Sequence, residues 1–392
     1  MAKIDDSVKK KVPELRFKGF TDDWEERKFA DFIDVKSGKD YKHLNSGPIP
    51  VYGTGGYMLS VDRALSDIDA IGIGRKGTID KPYLLKAPFW TVDTLFYAVP
   101  KQNIDLQFSL SIFKKINWKK FDESTGVPSL SKTVINSVGA SVPCYEEQQK
   151  IGSFFKQLDK TIALHQRKLD LLKEQKKGYL QKMFPKNGAK VPELRFAGFA
   201  DDWEERKLSD VANHRGGTAI EKYFDKDGVY KVISIGSYGL NSQYVDQNIR
   251  AISNEITDGR VVNSGELTMV LNDKTANGTI IGRSLLVEQD NEYVINQRTE
   301  IISPKETFDS NFAYTILNGS FREKVKRIVQ GGTQIYVNYS AVSNLSLELP
   351  KIEEQQKIGS FFKQLDNTIA LHQRKLDLLK EQKKGFLQKM FI

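Results

Sequence analysis

Apolar residues recur at alternating steps of four and three residues in two long stretches of the chain. The first stretch covers residues 146–184 and the second covers 353–391, and the two differ at only two positions. Steps of four and three define a heptad seam. Valine and proline are absent from both stretches, and Pro185 directly follows the first one, so each stretch is predicted to form one unbroken amphipathic helix.

Each of these helices must bury its seam, and the other copy offers a matching one. The predicted seam consists of Ile151, Phe155, Leu158, Ile162, Leu169 and Leu172 in the first helix, and of Ile358, Phe362, Leu365, Ile369, Leu376 and Leu379 in the second. His165 and His372 also hold seam positions, where a polar residue fixes the register or, alternatively, acts as a pH switch. Lys176 and Lys383 can extend their amines out of the seam.

A second repeat precedes each variable part of the chain. The block KVPELRFKGFTDDWEERK at 11–28 returns as KVPELRFAGFADDWEERK at 190–207, whereas the segments that follow the two blocks hardly resemble each other. A constant framework around exchangeable contents is typical of a recognition protein. The predicted organisation is a frayed lead (1–10) within a first framework region (1–28), a variable domain (29–145), a helix and linker (146–189), a second block (190–207), a second variable domain (208–352) and a second helix (353–392).

The variable segments are each long enough to hold a core. Short strands separated by Gly, Asp and Pro are predicted for IPVYG, AIGIG, TIDKPYLL and TLFYAV in the first, and for YKVISIG, GELTMVL, GTIIGRSLLV and YVINQRTEII in the second. Helices are predicted for FSLSIFKKI and NFAYTILNGSFREKVKRIV. Residues 77–79 and 278–280 share the letters Gly-Thr-Ile, so we expect one mixed α/β fold with two different surfaces.

Connectivity predicts how these parts are arranged. Only residues 185–189 separate the first helix from the second block, and the second helix starts where the second variable domain stops. If the termini of that domain lie close together, the helices are antiparallel and the block at 11–28 docks near the end of the second helix. The predicted fold class is α+β, with two mixed α/β domains held apart by an antiparallel two-helix coiled coil in a pseudo-two-fold, circular organisation.

Composition narrows the function. The 392 residues carry a formal net charge of +9, and nine basic and five acidic residues give +4 in the first helix. A basic helix face can follow a phosphate backbone, or it can simply be solvated. There is no apolar run of 18 residues and no secretory leader, and the single Cys144 fits a reducing compartment, so a cytoplasmic protein without membrane contact is expected.

Motifs of catalysis and metal binding are missing from the sequence. No phosphate-binding loop, zinc-protease motif or Cys/His ligand set occurs, and the glycines of IGIGRKGT are not followed by a helix pattern. His43, His165, His214 and His372 have no metal-ligand spacing. The N/D-P-P-Y/F motif of amino-methylating enzymes is absent as well, so neither a catalytic residue nor a metal ligand is predicted.

Nucleic-acid binding fits the loops better, because donors, aromatic residues and glycines alternate there. Arg and Lys reach phosphates or guanine edges, and glycine lets a backbone come close. The candidates in the first domain are Lys39, Tyr41, Lys42, His43, Thr54, Tyr57, Arg75, Lys76 and Thr78. Those in the second are Lys222, Tyr223, Tyr238, Lys274, Arg283, Gln297, Arg298, Thr333, Gln334, Tyr336 and Asn338.

The repeated VPELRF block, the helix opening EEQQKIGSFFKQLD and the loops IGRKGT and GVPSLS resemble the DNA specificity subunit of type I restriction-modification enzymes. The GVPSLS region adds Ser129 and Lys132 to the candidate DNA contacts. The resemblance implies that each variable segment is a target recognition domain reading one half of a split, asymmetric site in double-stranded DNA, while the coiled coil sets the gap.

The resemblance also implies partners. Two modification (methyltransferase) subunits would pack on the helices and carry S-adenosylmethionine, and restriction (endonuclease and translocase) subunits would use ATP and Mg²⁺. This chain would then be a non-catalytic subunit that binds no cofactor itself. The alternative hypothesis is a coiled-coil adaptor that binds proteins through its two end domains and never contacts DNA.

Overall fold

A computed structural model describes residues 12–186 and 188–392, so the predicted frayed lead lies outside the described residues. The chain divides into two compact units. Of the described residues, the first comprises 12–168 and 373–392, and the second comprises 169–186 and 188–372. Each unit therefore combines one variable domain with a part of each long helix.

The first unit is built on short strands joined by long loops. Its strands are β1 (Glu25–Lys28), β2 (Ile33–Ser37), β3 (Ser46–Gly53), β4 (Gly56–Val61), β5 (Ala70–Gly74), β6 (Tyr83–Leu85), β7 (Trp90–Thr91), β8 (Leu95–Pro100) and β9 (Gly139–Val142). Its helices are α1 (Phe29–Phe32), α2 (Leu106–Lys115), α3 (Lys132–Ser137) and the first part of α4 (Tyr145–Lys182), with a 3-10 turn at Trp118–Phe121.

The second unit follows the same sequence of elements with additions. Its strands are β10 (Glu204–Lys207), β11 (Ala212–Gly216), β12 (Tyr230–Ile233), β13 (Arg250–Ala251), β14 (Val261–Val262), β15 (Leu267–Val270), β16 (Asn272–Asp273), β17 (Ser284–Leu286), β18 (Tyr293–Ile295), β19 (Thr299–Pro304), β20 (Gln330–Gly331), β21 (Ile335–Tyr336) and β22 (Ser346–Leu349). Its helices are α5 (Leu208–Val211), α6 (Glu255–Asp258), α7 (Ser310–Asn318), α8 (Ser320–Lys326), α9 (Tyr339–Ser343) and the first part of α10 (Ile352–Lys389), with 3-10 turns at Glu221–Tyr223 and Ile235–Ser237.

Both units contain the same central sheet. Its strand order is β2-β8-β5-β6 in the first unit and β11-β19-β15-β17 in the second, with antiparallel neighbours throughout. A second sheet in each unit joins one parallel pair, β3 with β7 or β12 with β18. The shared mixed α/β fold predicted for the two unlike segments is confirmed.

Some elements are shorter than their apolar runs suggest. TIDKPYLL forms a strand only from Tyr83, and GTIIGRSLLV only over Ser284–Leu286. The long helix predicted over 311–329 is wrong as a single element, because it breaks at Gly319 between α7 and α8. A backbone at φ −98° and ψ −121° cannot continue a helix there.

Aromatic residues build equivalent cores in the two units. In the first, Trp24 lies against Phe108 and Phe391, with ring centroids 6.1 and 6.2 Å away. In the second, Trp203 lies against Phe184 and Phe312 at 5.9 Å each. Since Phe184 and Phe391 follow the two long helices, each helix end is part of a domain core.

The two long helices are antiparallel within each unit, as predicted. The contacts that show this are Phe154 with Phe386 (5.0 Å between ring centroids) and Asp159 with Lys383 (2.5 Å) in the first unit, and Tyr179 with Phe361 (5.0 Å) and Lys176 with Asp366 (2.5 Å) in the second. Residue numbers rise along one helix as they fall along the other. The predicted seam residues are all buried or half-buried.

The framework block closes the chain onto its own end. Leu15 N donates to the Lys389 carbonyl at 2.9 Å, and Leu194 N donates to the Lys182 carbonyl at 2.8 Å in the second unit. The predicted docking of the first block near the end of the second helix is therefore confirmed, and Lys11 alone of that block lies outside the described residues.

A buried latch explains why the helices open with EEQQKIG. Gln148 Oε1 accepts from Asp105 N at 3.0 Å while its Nε2 donates to the Pro143 carbonyl at 2.9 Å. Asp105 is the N-cap of α2, and a Cβ on Gly152 would lie only 2.3 Å from its Oδ1. The second unit repeats the latch with Gln355, Asp309 and Gly359. Gln355 Oε1 accepts from Asp309 N at 3.1 Å, and a Cβ on Gly359 would lie 2.6 Å from Asp309 Oδ1.

Candidate nucleic-acid interface

Three loops of the first unit converge beyond the end of β5. Lys76 and Ser129 form an antiparallel bridge, and Gly77 N donates to the Pro128 carbonyl at 2.8 Å, so the IGRKGT and GVPSLS loops lie side by side. The β3–β4 turn joins them, because a Cβ on Gly77 would be 3.7 Å from Thr54 Oγ1. The structure thus brings together six of the sequence candidates, namely Thr54, Arg75, Lys76, Thr78, Ser129 and Lys132.

These loops border an open groove of about 770 Å³. Arg75, Lys76 and Lys132 are exposed along it, and the buried ring of Phe96 lies at its base. The Arg75 guanidinium lies 5.9 Å from the Phe96 ring centroid, and its Nη1 donates to the Asp93 carbonyl at 3.4 Å. An arginine supported on one side keeps its other donors available to an acceptor in the groove.

Asp122 organises the loop on the far side of this groove. Its Oδ1 accepts from Ser129 N at 2.9 Å, from Ser124 Oγ at 2.8 Å and from Ser124 N at 3.0 Å. The hydrogen bonds from Ser129 and Ser124 hold the pKa of the Asp122 carboxyl below its ordinary value. The carboxylate is therefore ionised at neutral pH, and its Oδ1 accepts three hydrogen bonds from its own loop.

The remaining candidates of the first domain lie on the second sheet. Lys39 N donates to the Thr91 carbonyl at 2.8 Å, and Trp90 Nε1 donates to the Lys39 carbonyl at 2.9 Å, which fixes the segment carrying Lys39, Tyr41, Lys42 and His43. Lys39, Lys42 and His43 are exposed there, whereas Tyr41 packs partly into the small core around Trp90. Tyr57 is 63% exposed beside the β3–β4 turn.

The second unit presents a corresponding surface. Asn272 pairs with Tyr336, and Leu271 N donates to the Arg298 carbonyl at 3.0 Å, so three loops meet at the end of β15. These loops expose the candidates Lys274, Gln297, Arg298, Thr333, Gln334, Tyr336 and Asn338. Gly77 and Gly278, aligned in the sequence, both have positive φ, at 95° and 61°, in the loops after the equivalent strands.

An aspartate again ties the loop together. Asp273 Oδ2 accepts from Ile280 N at 2.8 Å, and its Oδ1 accepts from Thr275 N at 3.0 Å. Burial acts to raise the pKa of Asp273, but these hydrogen bonds outweigh it and lower the pKa below its ordinary value. Arg322 holds the same loop from below by donating from Nη2 to the Gly278 carbonyl at 2.8 Å.

A 3-10 turn extends this surface. Gln297 Nε2 donates to Glu221 Oε1 at 2.8 Å, and the neighbouring Lys222 amine lies 4.7 Å from the Tyr223 ring centroid. Lys222 is exposed and Tyr223 is half-buried. Lys222, Tyr223 and Gln297 thus lie on one strip of the second unit.

Two candidates differ from this picture. Tyr238 is 3% exposed, and its hydroxyl donates to Thr268 Oγ1 at 2.9 Å inside an apolar cluster, so its prediction as a DNA contact is wrong for this conformation. Arg283 is half-buried and donates to the Thr279 carbonyl at 2.9 Å and to Ser242 Oγ at 3.0 Å. Burial lowers the pKa of Arg283, and its Nε and Nη1 already donate to protein acceptors.

One cluster at this surface escaped sequence analysis. His214 Nδ1 lies 2.6 Å from Glu300 Oε1, and the Tyr339 ring lies 4.5 Å from the His214 ring between centroids. The Glu300 side chain is 8% exposed and that of His214 is 55% exposed. Burial raises the pKa of Glu300, and the hydrogen bond from His214 opposes it. In the sequence, Glu300 is one glutamate within a predicted strand, and no recognisable motif around it indicates a functional role.

Two kinds of feature are absent from the described part of the chain. No helix there is long and apolar enough to cross a membrane. Among residues 12–186 and 188–392, no group of three or more His, Cys, Asp or Glu side chains could hold a metal ion.

Two domains of one fold, each presenting a different polar loop surface on a nearly identical framework, define a two-part recognition protein. The chain belongs to the type I restriction modification DNA specificity domain family, whose model matches residues 21–174 and 200–381. The MjaVIII specificity subunit of a type I restriction enzyme from Methanocaldococcus jannaschii is 24% identical over 334 residues, which cover 82% of this chain and 75% of that protein. The HindI specificity subunit from Haemophilus influenzae is 25% identical over 197 residues, covering 49% of this chain and 41% of that protein.

Solved structures show the same fold. The S subunit of a type I restriction-modification system from M. genitalium matches with a TM-score of 0.71 at 13% identity, covering 97% of this chain and 99% of that one. A chain from a study of complex assembly and conformational transition in the type I R-M system matches with a TM-score of 0.50 at 13% identity, covering 94% and 97%. The predicted family is confirmed.

Proposed function

We propose that this chain is the DNA sequence specificity subunit of a type I restriction-modification complex. The observation that carries the proposal is the contrast between framework and loops. The strand order of the central sheet, the latch at Gln148 or Gln355 and the antiparallel helix pairing are repeated, whereas the loops beyond β5 and β15 carry different polar residues. A framework that is kept while its loops diverge serves recognition of two different targets.

Each variable domain reads one half of a bipartite, asymmetric site. Side chains on such loops reach base edges in the major groove, and each good contact discriminates against a wrong base by roughly 1 to 3 kcal/mol. Surrounding lysines position the duplex through phosphates. The exposed Lys76, Lys132 and Lys274 suit that second task.

DNA binding separates this function from that of a protein adaptor. Contacts to phosphates release counterions, so affinity for random duplexes falls steeply with salt. A gel-shift titration at about 50 and 200 mM salt should show a loss of several-fold or more. A protein adaptor would not bind the random duplexes at either salt concentration, and that result would favour the adaptor hypothesis.

The paired helices set the number of unread base pairs between the half-sites. Each helix has 38 residues, about 57 Å at 1.5 Å per residue. Deleting one matched heptad from both helices should therefore change the gap in the methylated motif or abolish methylation. An unchanged gap would rule out this role of the helices.

The outer faces of the same helices dock two modification subunits. Each helix exposes two leucines seven residues apart, which places them on one face: Leu164 (66% exposed) and Leu171 (50%) in α4, and Leu371 (59%) and Leu378 (58%) in α10. Gly178 and Gly385 follow at the next heptad, with no atom within 4 Å of a Cβ built there. Glycine inside a helix costs about 1 kcal/mol relative to alanine, which is understandable where a partner must approach closely.

Catalysis belongs to those partners. The sequence lacks a phosphate-binding loop and an amino-methyltransferase motif, so we place S-adenosylmethionine, ATP and Mg²⁺ in the modification and restriction subunits, and the whole complex in the cytoplasm. The purified chain with S-adenosylmethionine and duplex DNA should transfer no methyl groups. Transfer by the chain alone would contradict this assignment.

One experiment tests the function as a whole. A host lacking its own type I system would express this chain with its modification subunits, and its genome would be sequenced with detection of methylated bases. The expected result is one motif made of two specified halves around an unspecified gap. A contiguous motif, or methylation unaffected by omitting this chain, would contradict the proposal.

A further inference from the structure

The shared fold allows residues of the two domains to be matched by their hydrogen bonds. Arg75 N donates to the Thr94 carbonyl at 2.8 Å, and its carbonyl accepts from Leu130 N at 2.9 Å. In the second unit, Leu271 N donates to the Arg298 carbonyl at 3.0 Å, and its carbonyl accepts from Val337 N at 2.9 Å. Leu271 is therefore the structural equivalent of Arg75.

The residue at the base of the groove is matched by strand register. Ser37 pairs with Phe96 where β2 meets β8, and Gly216 pairs with Glu300 where β11 meets β19. Phe96 and Glu300 thus hold the same place in the central sheet. A phenyl ring that supports an arginine in one domain is replaced by a carboxylate in the other.

At this equivalent position the first domain offers hydrogen-bond donors, whereas the second domain offers an acceptor. In the first, the exposed Arg75 offers donors above Phe96, and Lys132 adds a second cation. In the second, the arginine is replaced by the buried Leu271, and Glu300 with His214 offers a carboxylate.

A glycine leaves part of the Glu300 carboxylate without a covering side chain. A Cβ on Gly216 would lie 3.4 Å from Glu300 Oε2, so any longer side chain at that position would pack over this oxygen. The hydrogen bond with His214 uses the other oxygen, Oε1. Tyr339, which begins α9 as Lys132 begins α3, covers the imidazole and keeps it in place.

We infer that this shared place reads a base in both half-sites: Arg75 donates to a guanine, and Glu300, oriented by His214, accepts from the exocyclic amino group of a cytosine or adenine. The inference rests on the proposed function. Arginine matches the O6 and N7 acceptors of guanine in a bidentate manner, and a glutamate accepts from N4 of cytosine. Adenine N6 offers the same donor in the major groove.

The test uses the assembled complex with its modification subunits and a duplex library randomised in both half-sites. Methylation of the library is compared for wild type, Arg75→Ala and Glu300→Gln. Arg75→Ala should lose preference for guanine at one position by about 5- to 150-fold, the range that corresponds to roughly 1 to 3 kcal/mol. Glu300→Gln should change the preference at one position of the other half-site, and the base lost shows whether cytosine or adenine is read.

The control variants remove an arginine and a carboxylate that lie outside the two proposed base-reading sites. Arg206→Ala removes an exposed arginine of the framework block, and Glu288→Gln removes an exposed carboxylate outside the cluster, so both should keep the wild-type motif. Arg75→Lys and His214→Gln serve as second variants if either first variant melts early. Both should shift the same positions, because lysine lacks the bidentate fork and glutamine leaves Glu300 less firmly oriented.

Two results would overturn the inference. One is a uniform loss of methylation over all sequences, which marks a phosphate contact or a structural role. The other is an unchanged preference at every position. A wild-type complex without a bipartite motif would instead refute the proposed function, before any variant is considered.

Discussion

Arg16 and Glu147 form a bidentate ion pair across 131 residues of chain, with Nε 2.8 Å from Oε1 and Nη2 2.8 Å from Oε2. Arg195 and Glu354 repeat it at 2.7 Å for both bonds. The arginine also donates to a carbonyl of its own block, that of Asp22 in the first unit. The pair thereby ties each framework block to the start of the long helix that follows its domain.

Arg16→Ala should destabilise the protein strongly. The Glu147 side chain is fully buried, and removing its partner leaves a buried charge uncompensated, which costs about 3 to 5 kcal/mol. Denaturant unfolding followed by circular dichroism measures the loss. Arg206→Ala is the control, because its pair with Glu204 is exposed and worth about 0 to 1 kcal/mol. A loss below about 1 kcal/mol for Arg16→Ala would show that the pair is dispensable.

Gly152→Ala should also destabilise, since the new methyl group would lie 2.3 Å from Asp105 Oδ1 and force the helix and α2 apart. Overpacking of this kind costs about 1 to 3 kcal/mol. Gly178→Ala in the same helix meets no atom within 4 Å and should stabilise the isolated chain by about 0.5 to 1 kcal/mol. Thermal unfolding of both variants gives the comparison. Equal effects of the two substitutions would argue against a close approach of Asp105 to Gly152.

Asp159 should make stability depend on pH in the acid range. Burial acts to raise the pKa of its carboxyl, but hydrogen bonds from Lys114 and Lys383 outweigh this and lower the pKa below 3.8. A lowered folded-state pKa adds stability that is present above the unfolded value and disappears as the pH falls through the folded one. Asp159→Asn should therefore melt earlier than wild type at pH 7, and the difference should shrink below pH 3.8. The exposed Asp227→Asn is the control, and a difference that persists at low pH would exclude an ionic origin.

Leu164→Glu combined with Leu371→Glu should spare the fold and weaken assembly. Both side chains are more than half exposed, so the free energy of unfolding should change by less than about 0.5 kcal/mol per site. Binding of the modification subunits, measured by calorimetry, should weaken by about tenfold or more if these leucines are central contacts. Ile68→Glu introduces the same charge at a position that is 61% exposed in the first domain and should leave that affinity unchanged. Unchanged assembly of the leucine variant would place the partners elsewhere.

Exchange of residues 29–145 for another domain of the family should alter only one half of the methylated motif. The reason is that the domain meets the framework through repeated contacts and carries its own loops. Sequencing of methylated bases compares the motifs before and after exchange. A change in both halves would contradict independent reading by the two domains.

The helix pairing was predictable because it depends on periodicity and repetition, which are properties of the sequence alone. The position of the loops was predictable for a similar reason, since β5 ends at Gly74 and polar residues from Asn272 onward follow β15. Burial was not. Tyr238 sits among loop residues in the sequence, yet it fills a core whose other members come from distant strands.

Glu300 shows a second limit. Its importance depends on the register that places it where the first domain has Phe96, and no alignment of two unlike segments reveals that register. The break at Gly319 shows a third, because a single glycine within an apolar helical pattern is often tolerated. The roles of side chains in the loops could be assigned only after the fold was known, whereas the framework could be predicted from the sequence alone.

The latch at Gln148 and Gly152 can also be understood as a standard for grafting. Any incoming domain must bring an aspartate or similar cap at the start of its α2 counterpart, with a backbone N–H placed to donate to Gln148 and a side chain that fits against Gly152. Domains that meet this standard can be exchanged without redesigning the helices. New specificities are therefore obtainable by matching the start of one helix in the incoming domain to the latch, independently of the bases that the loops of that domain read.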